Sequence, residues 1–113
     1  MDILNVGLDV GSSTCHMVAK DKEGNVSVDR TVSTDEASLR TAFKGLHGEV
    51  HVHLETCEMA GWVRRVIKSL VKRVVVGHAK SNFWIGRDPR KSDRIDAGKL
   101  ADLLRMGNVH PAY

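Results

Sequence analysis

Hydrophobic and polar residues alternate along two stretches of the chain, which is the pattern of β-strands with one buried face. In the first stretch, residues 3–10, one face carries Leu4, Val6, Leu8 and Val10, and the other carries Asn5, Gly7 and Asp9. In the second, residues 50–55, one face carries Val50, Val52 and Leu54, and the other carries His51, His53 and Glu55. Each predicted strand therefore has an aliphatic face and a polar face, and each polar face ends in an acid.

The rest of the chain predicts three more strands and three helices, in the overall order βββαβαβα. The further strands are expected at 16–20, 26–32 and 73–77, and the helices from near Ser33, at about 59–72 and at about 92–106. Ser33 and Glu36 have the spacing of a capping box at the start of the first helix. A hairpin unit followed by crossovers through helices predicts an α/β fold, with helices packed on a mixed sheet of the ribonuclease H-like order.

Composition is that of an ordinary single domain. The 113 residues suffice for one domain, 1–113, and 42% hydrophobic and 27% charged residues are usual in a globular protein. The sequence has no apolar run of about 18 or more residues and no signal-peptide pattern, so no membrane span or secretion is predicted. Two cysteines are too few for a disulfide framework, which favours a reducing cytoplasm. The net charge of +3 permits nucleic-acid binding without requiring it.

Four acids, Asp9, Glu55, Asp93 and Asp96, are predicted to meet at one point. If the two alternating strands are parallel neighbours, Asp9 and Glu55 lie side by side at their carboxyl ends, where α/β sheets bind ligands. Asp93 and Asp96 are three residues apart and would share one face of the last helix. The apolar residues that continue this face and should dock on the sheet are Ala97, Leu100 and Leu104. Both aspartates are therefore expected to point inward.

Converging acids repel one another unless a cation joins them. Two like charges about 4 Å apart repel by roughly 4 kcal/mol at an effective dielectric constant near 20. A hard divalent metal ion removes this cost, and Mg²⁺ is the usual partner of such clusters.

Each acid taken singly has another interpretation. Asp93 could complement the positive end of its helix, and Asp96 could pair with a neighbouring basic residue. Asp9 could accept hydrogen bonds from the amides of the glycine turn that follows it, and Glu55 could lie at a strand edge in water. Their joint placement favours a shared site.

Three segments resemble the N-terminal domain of DEDD transposases, which are insertion-sequence recombinases related to the pilin-gene invertases. The segments are Gly7-Leu8-Asp9-Val10-Gly11, Leu54-Glu55-Thr56 and, most specifically, Lys91-Ser92-Asp93-Arg94-Ile95-Asp96-Ala97. The resemblance spans essentially the whole chain and implies a RuvC-like ribonuclease H fold. The chain departs from the family at Thr56-Cys57-Glu58, where the family usually has Ala or Pro, then Thr and Gly.

The resemblance also implies a function and its cofactor. The four acids of the family name correspond to Asp9, Glu55, Asp93 and Asp96, as catalytic ligands of two Mg²⁺ or Mn²⁺ ions in DNA strand cleavage and exchange. It further implies a second domain with a serine nucleophile, a guide RNA encoded by the element, and a homo-oligomeric full-length protein. The chain is therefore expected to be a fragment of a longer transposase that binds metal yet cleaves poorly alone.

A basic segment precedes and overlaps the last predicted helix. The candidate contacts to nucleic-acid phosphates beside the metal site are Lys80, Arg87, Arg90, Lys91 and Arg94. Phe83 and Trp84 within this segment could equally stack on bases or pack beneath the loop. The basic face of the helix at 59–72 is interpreted as its solvated side.

Three other functions fit parts of the pattern. An actin-like or sugar-kinase-like ATPase also begins with a strand like Gly7-Leu8-Asp9-Val10-Gly11, but it gives Asp93 and Asp96 no role. A free-standing Holliday-junction resolvase of the same fold would cleave four-way junctions by itself. A non-catalytic module would help a transposase to dimerise or to bind its RNA.

Overall fold

Five strands and three helices make up the described part of the chain, which is residues 2–78 and 95–112 of the computed structural model. The strands are β1 (Ile3–Val10), β2 (Thr14–Lys20), β3 (Val26–Ser33), β4 (Glu49–Glu55) and β5 (Arg73–Gly77). The helices are α1 (Glu36–Lys44), α2 (Ala60–Ile67) and α3 (Ala97–Arg105). Residues 79–94, which include the predicted start of the last helix, lie outside the described residues, so the predicted order is compared only over the rest.

The strands form one mixed sheet in the order β3-β2-β1-β4-β5. β2 runs antiparallel to both β1 and β3, whereas β1, β4 and β5 run parallel. The turn between β2 and β3 is tied by the Asp21 carboxylate, which accepts hydrogen bonds from the amides of Glu23 and Asn25, and it places Gly24 at a φ of +92°. This arrangement confirms the predicted α/β class with a mixed sheet.

The aliphatic faces of β1 and β4 form the main core together with α1 and α2. The buried side chains at its centre are Val6, Leu8, Val52 and Leu54 from the strands, and Leu39, Phe43, Val63 and Ile67 from the helices. Because burying one such side chain contributes about 1.5–3 kcal/mol, this layer supplies most of the hydrophobic stabilisation of the fold.

Helix α3 covers the opposite, more polar face of the sheet, where it packs on β1, β2 and β4. Its residues Ala97, Leu100 and Leu104 are buried, as the sequence predicts. The sheet therefore lies between two helical layers, and the polar faces of β1 and β4 look towards α3. No helix in residues 2–78 or 95–112 is long and apolar enough to cross a membrane.

The helix boundaries differ from the predicted ones. α1 begins after Asp35, whose carboxylate accepts a hydrogen bond from the Ser38 amide at 2.8 Å, so the predicted capping box from Ser33 is wrong. α3 begins after Asp96, not near residue 92, and α2 ends at Ile67. In α1 and α3, the start is fixed by an aspartate side chain that satisfies a free amide of the first turn.

Candidate carboxylate site

The first two predicted acids, Asp9 and Glu55, occupy adjacent positions on neighbouring parallel strands. Leu8 of β1 pairs with Leu54 of β4, so the next residues along the two strands, Asp9 and Glu55, stand side by side. Both lie at the carboxyl ends of their strands, and both are partly buried. The parallel pairing on which the sequence prediction depended is therefore present in the structure.

His16 lies on the other side of Asp9 from Glu55, so the three side chains form a row across β2, β1 and β4. Asp9 pairs with His16 of β2, and paired residues of antiparallel strands point to the same face. The Nε2 atom of His16 lies 2.6 Å from the Oδ1 atom of Asp29. The sequence analysis missed this neighbour because only the register of the β1–β2 hairpin, and no residue spacing, places His16 beside Asp9.

Helix α3 lies very close to β1. A Cβ atom added to Gly7 would lie 1.9 Å from the carbonyl oxygen of Ala97 and 2.6 Å from the amide nitrogen of Ala101. Both are backbone atoms, so no side-chain rotation can make room. Gly7 therefore lets the backbone of α3 rest directly on β1, two residues before Asp9; a glycine inside a strand is the sequence signal of such an approach.

The direction of α3 follows from its contacts along β1. Ala97, at the start of the helix, lies over Gly7. Asp102, further along the helix, accepts a hydrogen bond from Lys20, which pairs with Asn5 near the start of β1. The helix therefore runs opposite to β1, and its first residues point towards the carboxyl end of the sheet, where the two strand acids lie.

Asp96 is at this end of α3, but its side chain is used differently from the prediction. It is the N-cap residue, with extended backbone angles (φ −76°, ψ 168°), and its carboxylate accepts a hydrogen bond from the Lys99 amide at 2.8 Å. Asp96 is also exposed, so the expectation that its side chain points inward on the packing face of the helix is wrong. The preference of a free first-turn amide for a carboxylate partner explains the difference.

The remaining predicted site residues cannot be placed. Asp93 and the five predicted phosphate contacts, Lys80, Arg87, Arg90, Lys91 and Arg94, lie outside the described residues.

His53 links β4 to α3 just before Glu55. Its side chain is fully buried, and its Nδ1–H group donates a hydrogen bond to the backbone carbonyl of Leu100 at 2.9 Å. Burial lowers the pKa of His53 despite this hydrogen bond, which favours the neutral ring with its proton on Nδ1. The Nε2 atom is buried and has no hydrogen-bond partner among residues 2–78 and 95–112. His53 is thus a buried packing residue between β4 and α3.

The described residues supply part of a metal site. Asp9 and Glu55 offer carboxylate oxygens on adjacent strands, and such hard donors suit Mg²⁺ or Mn²⁺. In the part of the chain that the structure describes, however, no three Asp, Glu, His or Cys side chains are grouped closely enough to hold a metal ion. The donor chemistry of these two carboxylates therefore fits a divalent cation.

Comparison with known protein families connects this site to a function. A family model for DEDD transposases of the IS110 type, described as a transposase, matches residues 6–113. A comparison with curated proteins gives no match. The family match covers β1 to α3 and includes all four predicted acids, and transposases act on DNA. The family match therefore favours a transposase over the alternative of an actin-like or sugar-kinase-like ATPase. The chain belongs to the DEDD transposase family of insertion sequences.

Proposed function

We propose that this chain is the ribonuclease H-like catalytic domain of its transposase, and that Asp9, Glu55, Asp93 and Asp96 hold divalent metal for DNA strand cleavage and exchange. The proposal rests mainly on the adjacent positions of Asp9 and Glu55 at the carboxyl ends of two neighbouring parallel strands. The direction of α3 supports it, because the helix points its first residues towards the same end of the sheet.

The fold assignment rests on the sheet. A three-stranded antiparallel unit, extended by two parallel strands that are reached through helices, is compatible with the ribonuclease H-like fold. We infer the order βββαβαβα for the whole chain.

The chain's own residues would position the reacting groups. Asp9, Glu55, Asp93 and Asp96 would together hold two Mg²⁺ or Mn²⁺ ions. Asp96 would exchange its hydrogen bond with the Lys99 amide for a metal contact. When bound, the ions would polarise the attacking group and stabilise the leaving oxygen. Gly7 would keep α3 at a fixed distance from these carboxylates.

The remaining parts of the proposal follow from the family resemblance. A further domain would supply a serine nucleophile, an element-encoded RNA would guide target choice, and the full-length protein would act as a homo-oligomer. Arg90, Lys91 and Arg94, with Lys80 and Arg87, would contact phosphates. Both cysteines of the chain are free, which suits a cytoplasmic protein.

Metal uptake tests the proposal. Calorimetric titration of this chain with Mn²⁺ alone is expected to show binding, and Asp9→Asn or Glu55→Gln should each weaken it by at least about tenfold, because each removes a charged ligand. The matched controls are Asp2→Asn and Glu58→Gln, which remove the same charge at exposed positions and should leave uptake unchanged.

Three results would overturn the proposal. The first is Mn²⁺ binding that is unchanged in both Asp9→Asn and Glu55→Gln. The second is the absence of metal uptake by this chain and by the whole transposase. The third is specific cleavage of four-way junctions by this chain alone, which would favour a free-standing resolvase.

A further inference from the structure

Basic residues are concentrated on one part of the described structure. Five of the chain's 17 basic and two of its 14 acidic residues fall in 79–94, so the described residues carry equal numbers of each. Residues 64–73 nevertheless contain five cations and no acid, and these form what we call the basic surface: Arg64, Arg65, Lys68, Lys72 and Arg73. Charge is therefore segregated on the molecule.

The packing of α2 turns this surface outward. Val63, Val66 and Ile67 are buried against the sheet, which directs the other face of the helix to solvent. All five residues of the basic surface are exposed, and none forms an ion pair with another residue in 2–78 or 95–112. Glu49 is an acid that feels the charge of this surface. Its pKa is lowered mainly by the hydrogen bond with His51 and less by the charge of Lys72.

Two of the cations converge from different elements. Arg64 of α2 and Arg73 of β5 line one groove of about 310 Å³, together with Val74, Val75, Val76 and Pro111 at the edge of the sheet. The basic surface therefore continues from the helix onto the edge of the sheet.

The other exposed helix of the same layer shows a different charge pattern. α1 has the acids Asp35 and Glu36 at its start and the cations Arg40 and Lys44 further along, so both signs of charge are present on this helix. A helix face that only keeps a protein in solution needs no more than such a mixture. The lack of acids along the basic surface instead indicates a polyanionic partner.

We propose that the basic surface binds the phosphate backbone of duplex DNA. Arg64 and Lys68 are four residues apart, which is about 6 Å along the helix axis. Phosphates on one strand of duplex DNA are spaced at about 3.4 Å along its axis, so these two cations can face phosphates about two nucleotides apart. DNA is favoured over RNA as the partner because the family acts on DNA.

The position of α2 relates this contact to the carboxylate site. The helix begins at Ala60, five residues after Glu55, and leads away from the carboxyl end of β4. α2 packs on the aliphatic face of the sheet and the acids lie on the polar face, so a duplex along the basic surface would reach the acids only by passing around the carboxyl ends of β1 and β4. Binding at this surface requires no metal and does not depend on the chemistry proposed for the acids.

The experiment measures binding of this chain to duplex DNA in the presence of EDTA, over a series of salt concentrations. The variant Arg64→Gln, Arg65→Gln, Lys68→Gln should bind more weakly. The slope of log Kobs against log salt should become shallower by about 0.9 for each lost phosphate contact, or by about 2.7 for three. Because EDTA removes divalent ions, failure of the metal site would leave this result unchanged.

Two further variants distinguish the loss of specific phosphate contacts from the loss of total positive charge. The control Lys22→Gln, Arg30→Gln, Lys44→Gln loses the same total charge at exposed positions on other elements and should keep both affinity and salt slope. Replacing Arg64 and Arg65 by Lys should preserve most of the binding. Thermal unfolding checks that the exposed substitutions leave the fold intact.

Three outcomes would contradict the proposal. An equal loss of DNA affinity in the two triple variants would show that only net charge matters. Unchanged DNA affinity in the variant Arg64→Gln, Arg65→Gln, Lys68→Gln would show that the basic surface does not bind DNA. A loss confined to structured RNA, with DNA affinity unchanged, would assign the basic surface to RNA instead.

Discussion

At the scale of single residues, the polar face of the sheet is built for close approach. Gly7 has no side chain to hold α3 away, and His53 donates a hydrogen bond to a carbonyl of the helix. Gly77 continues this pattern, because a Cβ atom there would lie 3.3 Å from the Nε2 atom of His53 and 3.0 Å from the carbonyl oxygen of His110. Gly7 thus allows the last helix, and Gly77 allows His53 and His110, to pack closely on the sheet near the acids.

Gly7→Ala is expected to destabilise the protein strongly. The new Cβ atom would overlap the backbone of α3, so the helix or the strand must move, and overpacking of this kind costs about 1–3 kcal/mol or more. Urea unfolding followed by circular dichroism measures the loss. Stability equal to that of the parent protein would contradict the close contact.

The control for this substitution is Gly61→Ala in α2. Its new Cβ atom would meet only the flexible Arg65 side chain, at 3.6 Å. Alanine is the better helix former, so this variant should be as stable as the parent or more stable by up to about 1 kcal/mol.

The site residues differ in how far the sequence alone predicts them. Asp9 and Glu55 were placed correctly on their strands because alternation within a short segment fixes which face each residue occupies. Asp96 was predicted inside the last helix but caps its start, since Ser92, Asp93 and Asp96 can all cap a helix. The choice among them depends on where the helix docks, which is a tertiary property. The metal-binding role of Asp93 stays a prediction.

At the scale of secondary-structure elements, a charged cluster holds the far end of α3. Asp102 accepts hydrogen bonds at 2.9 Å from Lys20 of β2 and from Arg105 of its own helix. Arg105 also lies over Gly24 in the β2–β3 turn, where an added Cβ atom would be 2.9 Å from a guanidinium nitrogen. These contacts attach the helix to the hairpin at the end opposite the acids.

This cluster should make stability depend on acid pH. Partial burial works to raise the pKa of Asp102, but the hydrogen bonds from Lys20 and Arg105 outweigh it and hold the pKa below its ordinary value. The unfolded chain therefore takes up the proton first as pH falls. The stabilisation by the Asp102 carboxylate is complete above the unfolded pKa of about 3.9 and is lost as pH falls from there through the lower folded pKa.

Asp102→Asn tests this pH dependence. The variant should be less stable than the parent near neutral pH, and the difference should shrink below about pH 4. In a Lys20→Met background, the pH-dependent part should be smaller, because one partner of the carboxylate is gone. A difference in unfolding free energy that stays constant from neutral pH to pH 2 would show that Asp102 acts only through packing.

The sequence predicted strand boundaries better than helix boundaries. β1 and β5 have the predicted limits, since alternation or an aliphatic run ends where the turn residues begin. α2 ends at Ile67, although its apolar spacing continues, because the Lys72 amide already donates to the Val50 carbonyl at 2.8 Å. That hydrogen bond joins the chain to the sheet, and it depends on a partner more than 20 residues away in sequence.

At the scale of the whole molecule, the two helical layers hold the sheet with unequal apolar contact. The layer of α1 and α2 shares the large core with the aliphatic faces of the strands. On the side of α3, the apolar cluster of buried residues contains Ile95, Leu100 and Leu103. Polar contacts such as that of His53 add only about 0.5–1.5 kcal/mol each. Among residues 2–78 and 95–112, the helix beside the acids therefore has the smaller apolar contact with the sheet.

We expect α3 to open before the sheet does. In native-state hydrogen exchange, its amides should exchange with a lower opening free energy than the central amides of β1 and β4. Leu100→Ala should lower the opening free energy of α3 far more than that of the strands. Val63→Ala, from the other layer, should lower the protection of the strands, because it weakens the core that global unfolding disrupts. If all these amides exchange with one free energy, and Leu100→Ala lowers it uniformly, the two layers form one cooperative unit. In that case α3 cannot move independently of the strands that carry Asp9 and Glu55.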